Sequence, residues 1–207
     1  MGGNSSKRRQ ASVDADRVAF KGLVIGVEGA GKTLLVRQLA NIAKGGKADE
    51  VSRDTIPSIG TELMQIMADK RSLVLREMGG SMIPVWPRYF AECDAVIFVI
   101  DAAAATALGA SSVELFTALG AEDLRTKPVL VAINKVDLPE QVAVDTLHTV
   151  LRIDELLATE TASREFACVR CSATSAEGVQ HILAWLLARA AKHDEARAQQ
   201  PMRAPQV

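Results

Sequence analysis

Short apolar runs alternate with helical periodicity along most of this chain. Leu23 to Ile25 precedes a helical pattern at Thr33 to Ala43, Ala95 to Ile100 precedes Ser112 to Leu119, and Val129 to Ile133 precedes Val142 to Leu151. A last run, Phe166 to Val169, precedes Val179, Ile182, Leu183 and Leu186, at the i, i+3, i+4, i+7 spacing of one helix face. Continuous apolar strands separated by helices predict a parallel sheet buried on both faces. Residues 61 to 76 break the rhythm. There Leu63 and Ile66, then Leu73 and Leu75, follow each other with no helix between, which predicts an antiparallel hairpin. The expected fold class is α/β: a mostly parallel six-stranded sheet with one antiparallel edge strand and helices on both faces.

The pattern fades at both ends. Residues 1–16 are polar, with the basic run Lys7, Arg8, Arg9 and no apolar periodicity, and are expected to form a flexible arm. Residues 195–207 contain Gln199, Gln200, Pro201 and Pro205 and are expected to form a flexible tail. Residues 17–194 then make one domain, in keeping with a total of 207 residues. Hydrophobic residues at 48% and charged residues at 24% exclude a disordered or a membrane-embedded chain. The net charge of -1 gives no reason to expect nucleic acid as a partner. No apolar run approaches the roughly 20 residues that span a bilayer. The odd set of Cys93, Cys168 and Cys171 points to a reducing compartment, and the cytoplasm is the expected location. Cys168 and Cys171 have the C-x-x-C spacing, but without a second pair or a histidine pair they predict no metal site.

Candidate chemistry begins at Gly26-Val27-Glu28-Gly29-Ala30-Gly31-Lys32-Thr33, which fits G-x-x-x-x-G-K-[ST] between an apolar strand and a helix. Glycines let the backbone curl until N–H groups face phosphate oxygens, and the helix N-terminus adds its positive end. Lys32 is placed to reach the β- and γ-phosphates, and the Thr33 hydroxyl to ligate Mg²⁺. The base is read from Asn134-Lys135-Val136-Asp137, at the end of an apolar strand. A carboxylate at Asp137 can accept from N1–H and the 2-amino group of guanine, donors that adenine lacks. After the next strand, Ser172-Ala173-Thr174 offers backbone N–H groups for guanine O6. The expected ligand is GTP or GDP.

These segments, with Thr55-Ile56-Pro57-Ser58-Ile59-Gly60, Glu77-Met78-Gly79-Gly80 and Pro84 to Phe90, resemble the ADP-ribosylation-factor-like (Arf/Arl) small GTPases over residues 20 to 190. The resemblance implies the small GTPase version of the P-loop NTPase fold. It implies a monomeric switch, regulating membrane traffic or ciliary transport, whose two switch segments change conformation with the nucleotide. Effectors, exchange factors and GTPase-activating proteins would be its partners. It also implies that Ser58 stands where the family's switch I threonine holds Mg²⁺, that Glu77 holds Mg²⁺ through a water, and that Gly80 lies against the nucleotide.

Two departures bear on mechanism. The family's Asp-x-Gly-Gly-Gln becomes Glu77-Met78-Gly79-Gly80-Ser81, so the glutamine that orients the attacking water is absent. Weak, slow intrinsic hydrolysis is expected, with Glu77 and Ser81 the only candidate catalytic positions. The positions of the family's Phe, Trp and Tyr effector anchors hold Thr61, Arg76 and Tyr89, so the usual Arf effectors are not expected to bind. A pseudo-GTPase scaffold is the alternative reading; a P-loop kinase is disfavoured by Asp137 and by the lack of an arginine-rich lid.

Met1-Gly2-Gly3-Asn4-Ser5-Ser6 fits M-G-x-x-x-[ST], the pattern for N-myristoylation at Gly2. One acyl chain anchors a protein only marginally, and each nearby basic residue adds about 1 kcal/mol on an anionic leaflet. Gly2 with Lys7, Arg8 and Arg9 therefore predicts reversible membrane association.

Overall fold

In the computed structural model, residues 19–52, 60–159 and 164–199 are described. Six strands form one sheet in the order β2-β3-β1-β4-β5-β6. They are β1 (Phe20–Ile25), β2 (Thr61–Ala68), β3 (Arg71–Met78), β4 (Ala95–Asp101), β5 (Val129–Asn134) and β6 (Phe166–Arg170). β2 alone is antiparallel, paired with β3 from Thr61↔Met78 to Ala68↔Arg71; every other pairing is parallel. The expected sheet and its antiparallel edge strand are both present.

Strand alternation sorts the side chains onto two faces. Val24, Leu73, Leu75 and Ile97 meet Leu35 and Leu39 of α1 (Lys32–Ala43) and Ile182 and Leu186 of α6 (Val179–Gln199). Leu23, Ile25, Phe98 and Ile100 meet Trp86, which precedes α2 (Pro87–Phe90), Phe90 at its end, Leu115 of α3 (Ala105–Leu119), Leu147 of α4 (Val144–Leu151) and Ile153 of α5 (Ile153–Thr159). β4 is buried from Ala95 to Ile100 and β5 throughout, which is why both read as unbroken apolar runs.

The structure differs from the sequence expectation in three elements. α3 begins at Ala105 and not at Ser112, because its alanine-rich first turns favour helix without showing periodicity and Leu108 anchors them. α5 is a separate helix after Arg152, whose φ of 50° ends α4. α6 runs on through Glu195 to Gln199, past residue 195, the expected start of a flexible tail. Past Ala190 that helix is held by polar contacts, Asp194 with Arg71 at 3.4 Å and His193 with Asp94 at 3.7 Å, which apolar periodicity does not register. The segment after α1 contains a 3-10 turn at Ala48–Glu50, pinned by Asn41 Nδ2 donating to Lys47 O at 2.6 Å. The expected arm, with Gly2, Lys7, Arg8 and Arg9, lies outside the described residues, as does Ser58.

Candidate functional site

The C-terminal ends of β1, β3, β4 and β5 converge, and the loops that leave them carry the candidate residues. β1 ends at Ile25 and α1 starts at Lys32. Between them the chain turns so tightly that a Cβ on Gly26 would lie 2.3 Å from Val99 O, and one on Gly31 2.4 Å from Asn134 Nδ2. Gly31, at φ 87°, also caps α1 without a side-chain hydrogen bond, and the helix has no acid in its first turn. The positive end of α1 therefore faces this loop with neither a side-chain cap nor an acid of its own.

Lys32 is buried at the foot of this loop, where its Nζ donates to Gly26 O at 2.8 Å and Val27 O at 2.9 Å. Burial pulls its pKa down to about 8, against the opposing pull of Glu77 and, more weakly, Glu28. The Thr33 hydroxyl donates to Glu77 Oε1 at 2.5 Å, which brings together the two described residues expected at Mg²⁺. Glu77 is buried at the end of β3. Gly80 packs on the phosphate loop so closely that a Cβ there would lie 2.2 Å from Glu28 N and 2.4 Å from Glu28 Cα. Ser81 follows, exposed, in the short 3-10 turn Gly80–Val85.

The base-reading segment is tied to the phosphate loop by one side chain. Asn134 is buried, donates from Nδ2 to Ala30 O at 2.9 Å, and accepts at Oδ1 from Ala173 N at 3.0 Å. Lys135, at φ 67°, pairs through Nζ with Asp101 Oδ2 at 2.7 Å. Asp137 is exposed at the tip of this loop. Ser172 Oγ accepts from Thr174 N at 3.2 Å and Ser175 N at 2.9 Å. The Ala173 N–H is thus engaged by Asn134 and the Thr174 N–H by Ser172 of its own loop, and an incoming guanine O6 has to share or replace those bonds.

Sequence reasoning missed three supports. Asp101, read as a strand end, holds Lys135; the register Asp101↔Asn134 is what brings them close. Gln141 braces the base loop by donating to Val136 O at 2.5 Å and Leu138 O at 2.9 Å, and nothing in its sequence context marks it. Cys171 lies behind Asn134, with Sγ 3.8 Å from Oδ1. Burial pushes the Cys171 thiol up to about 12 and the thiols of Cys93 and Cys168 up to about 11, so all three stay protonated at neutral pH. Cys168 packs toward one face of the sheet and Cys171 toward the other. Among the described residues no group of three or more His, Cys, Asp or Glu is placed to hold a metal.

The residues present fit a nucleotide with its metal. Gly26 to Thr33 form a loop with no room for a Cβ at Gly26 or Gly31, a buried cation lies at its foot, and a hydroxyl and a carboxylate in contact make an oxygen donor pair of the kind Mg²⁺ takes. At two of the positions expected to match the family's effector anchors, the Arg76 guanidinium carbon lies 4.7 Å from the Tyr89 ring centroid; Trp86 and Phe90, which are not among those positions, are buried in the core.

A family model described as the ADP-ribosylation factor family matches residues 9–190. The human ADP-ribosylation factor-like protein 16 is 37% identical over 168 residues, covering 80% of this chain and 84% of that protein. The Drosophila melanogaster ADP-ribosylation factor-like protein 1 is 31% identical over 166 residues, covering 79% and 85%. Among solved structures, the Arl6 BBS3 small GTPase from Trypanosoma brucei with bound nucleotide analogue GppNp superposes with a TM-score of 0.69 at 21% identity, covering 84% of this chain and 99% of that one. That likeness shows the fold.

Proposed function

The chain belongs to the ADP-ribosylation factor family of small GTPases, and from that premise we propose that it is a Mg²⁺-dependent, GTP-binding molecular switch with slow intrinsic hydrolysis. The observation that carries this reading is Asn134, which bonds the phosphate loop at Ala30 and the third loop at Ala173 and so joins phosphate and base recognition in one unit. The N–H groups of the loop and the Lys32 ammonium bind phosphate oxygens; Asp137 accepts from the guanine edge. Phosphates would draw Lys32 from Gly26 O and Val27 O, where its Nζ now donates. Thr33 and, through a water, Glu77 would hold Mg²⁺, with Ser58 completing the set from switch I; the metal neutralises phosphate charge. Gly80 reports the γ-phosphate to switch II.

Hydrolysis requires a water aligned on the γ-phosphorus and a group that stabilises the equatorial charge. Ser81 has a side chain too short to span to such a water as a glutamine amide does, so a GTPase-activating partner supplies the missing group or exchange alone resets the switch. Exchange factors and effectors complete the cycle. Anchoring through acylated Gly2 and Lys7, Arg8 and Arg9 makes the switch reversibly membrane-associated, suited to regulating membrane traffic or ciliary transport. No helix among the described residues is long and apolar enough to cross a membrane.

The test is GTP and GDP affinity of the full chain with Mg²⁺, followed by single-turnover hydrolysis. Tight guanine-nucleotide binding with turnover far slower than a glutamine-bearing relative is the expected result. No measurable binding would overturn the switch and leave the nucleotide-independent scaffold. Asp137→Asn should turn preference from guanine toward xanthine nucleotides, and unchanged preference would remove Asp137 from base recognition. Intact mass after eukaryotic expression checks Gly2.

A further inference from the structure

Among the described residues no helix covers one side of the β2 end of the sheet, and that side is not uniformly apolar. Across the β2–β3 pairing, Leu63 faces Arg76, Gln65 faces Val74 and Met67 faces Ser72, while Ile66 points the other way into the core. Leu63 and Met67 are 60% and 56% exposed, unusual for large apolar side chains on a strand. Beside them a cavity of about 110 Å³ opens between Leu63, Val74, Arg76, Tyr89, Glu92 and Lys21. An apolar cavity of about 150 Å³ takes a benzene, so this one has room for an aliphatic side chain. Arg76 forms its wall. The guanidinium carbon lies 4.7 Å from the centroid of the Tyr89 ring, a cation–π contact that holds Arg76 at the cleft. Its nearest carboxylate is Glu92, 3.7 Å away and more than half exposed, a loose surface pair that a better-placed carboxylate displaces easily.

We propose that this cleft selects a protein partner that inserts an aliphatic side chain between Leu63, Val74 and Tyr89 and lays a neighbouring Asp or Glu carboxylate on Arg76 in place of Glu92. The proposal rests on the switch reading for its setting, because the cleft lies between β2, which follows switch I, and α2, which follows switch II. Among the described residues that line it, the cations Lys21 and Arg76 outnumber the one acid, Glu92, so the complementary partner is acidic as well as apolar. The chain's own N-terminal arm holds three cations, Lys7, Arg8 and Arg9, against two acids, Asp14 and Asp16, and its net positive charge matches the cleft less well than an acidic partner does. Arg76 stands where the family's anchors supply an aromatic ring, so the same surface reads a different chemistry here.

The experiment selects short random peptides displayed on phage against the full chain, loaded with a non-hydrolysable GTP analogue and, in parallel, without nucleotide. Enriched peptides should carry Asp or Glu beside Leu, Ile, Val or Met. The synthesised winner should lose at least about tenfold in affinity on Arg76→Glu, a desolvated charge pair being broken, and an Arg or Lys at its acidic position should restore binding to that variant. Leu63→Asp should weaken it as well, while guanine-nucleotide affinity and the thermal midpoint stay at wild-type values in both variants. Winners without acidic residues, binding indifferent to Arg76→Glu, no winner at all, or self-association of the chain that Arg76→Glu abolishes would each overturn the proposal. Absent nucleotide binding in the unaltered chain would instead sink the switch reading, and the nucleotide-free selection then still reports on the cleft.

Discussion

Gly80 shows how far one missing carbon reaches. Both atoms that an added Cβ would strike, Glu28 N and Cα, are backbone of the phosphate loop, so no rotamer change relieves the clash. Gly80→Ala must lift switch II off the loop, and overpacking of this kind costs about 1–3 kcal/mol. The cost falls on the state in which switch II touches the loop. GTP-analogue affinity should therefore fall at least about fivefold, while GDP affinity, which draws on the phosphate loop's own backbone, should change little; equal losses for both would place Gly80 outside the γ-phosphate response. Lys32 makes a prediction with a definite sign. Burial lowers its pKa from 10.5 to about 8, so the nucleotide-free folded chain binds fewer protons than the unfolded chain between those values. Its contribution to stability therefore rises with pH from about 8 to 10.5. Phosphate binding runs the opposite way, because it needs the ammonium. Between pH 8 and 9 the GDP affinity should decline toward a limiting slope of about tenfold per pH unit, measured by titration at constant ionic strength; a flat profile would mean that Lys32 stays charged in the free protein.

At the level of elements, apolar patterning foretold the sheet because its strands are buried on both faces or on one, and burial is what the pattern records. The phosphate loop and Asn134-Lys135-Val136-Asp137 were legible because each compresses a mechanism into a fixed spacing. The braces were not. Gln141 and Asp101 act across the sheet on partners fixed only by register, and the last turns of α6 are held by Arg71 and Asp94 from distant segments. Lys127 belongs with these. Its Nζ donates to Phe90 O at 2.6 Å, Ala91 O at 2.9 Å and Cys93 O at 2.6 Å, closing the end of α2 with one charged group. α2 is only four residues long and follows the proline-bearing turn Gly80–Val85, so it has little hydrogen bonding of its own. Hydrogen bonds to charged groups are worth about 1.5–3 kcal/mol. Lys127→Met keeps most of the apolar stem and should lower the unfolding free energy by that order, read as a lower urea midpoint at an unchanged m-value. Hydrogen exchange should accelerate first around residues 87–93. Uniform acceleration across the sheet would show that Lys127 holds the fold and not α2 in particular.

On the scale of the whole molecule, the two apolar clusters lie on opposite faces of the same strands, so neither can dissolve while the other persists. Unfolding should be a single cooperative event. The ligand site is built at the strand ends of that unit, with Asn134 linking segments 104 residues apart to Ala30. A ligand bound there is bound only by the folded chain, and its free energy adds to the stability of the whole. At GDP a hundredfold above its dissociation constant the gain is about 2.7 kcal/mol. For a chain of this size each kcal/mol raises the midpoint by about 2–4 °C, so thermal denaturation with Mg²⁺ and GDP should shift upward by about 5–10 °C. ADP at the same concentration offers identical phosphates to Lys32 and the α1 N-terminus but no donors to Asp137. Its shift should be near zero, since a carboxylate facing adenine loses both hydrogen bonds it would make to guanine. A shift of equal size with ADP would locate the affinity in the phosphates alone and leave the exposed Asp137 without a part in choosing the base.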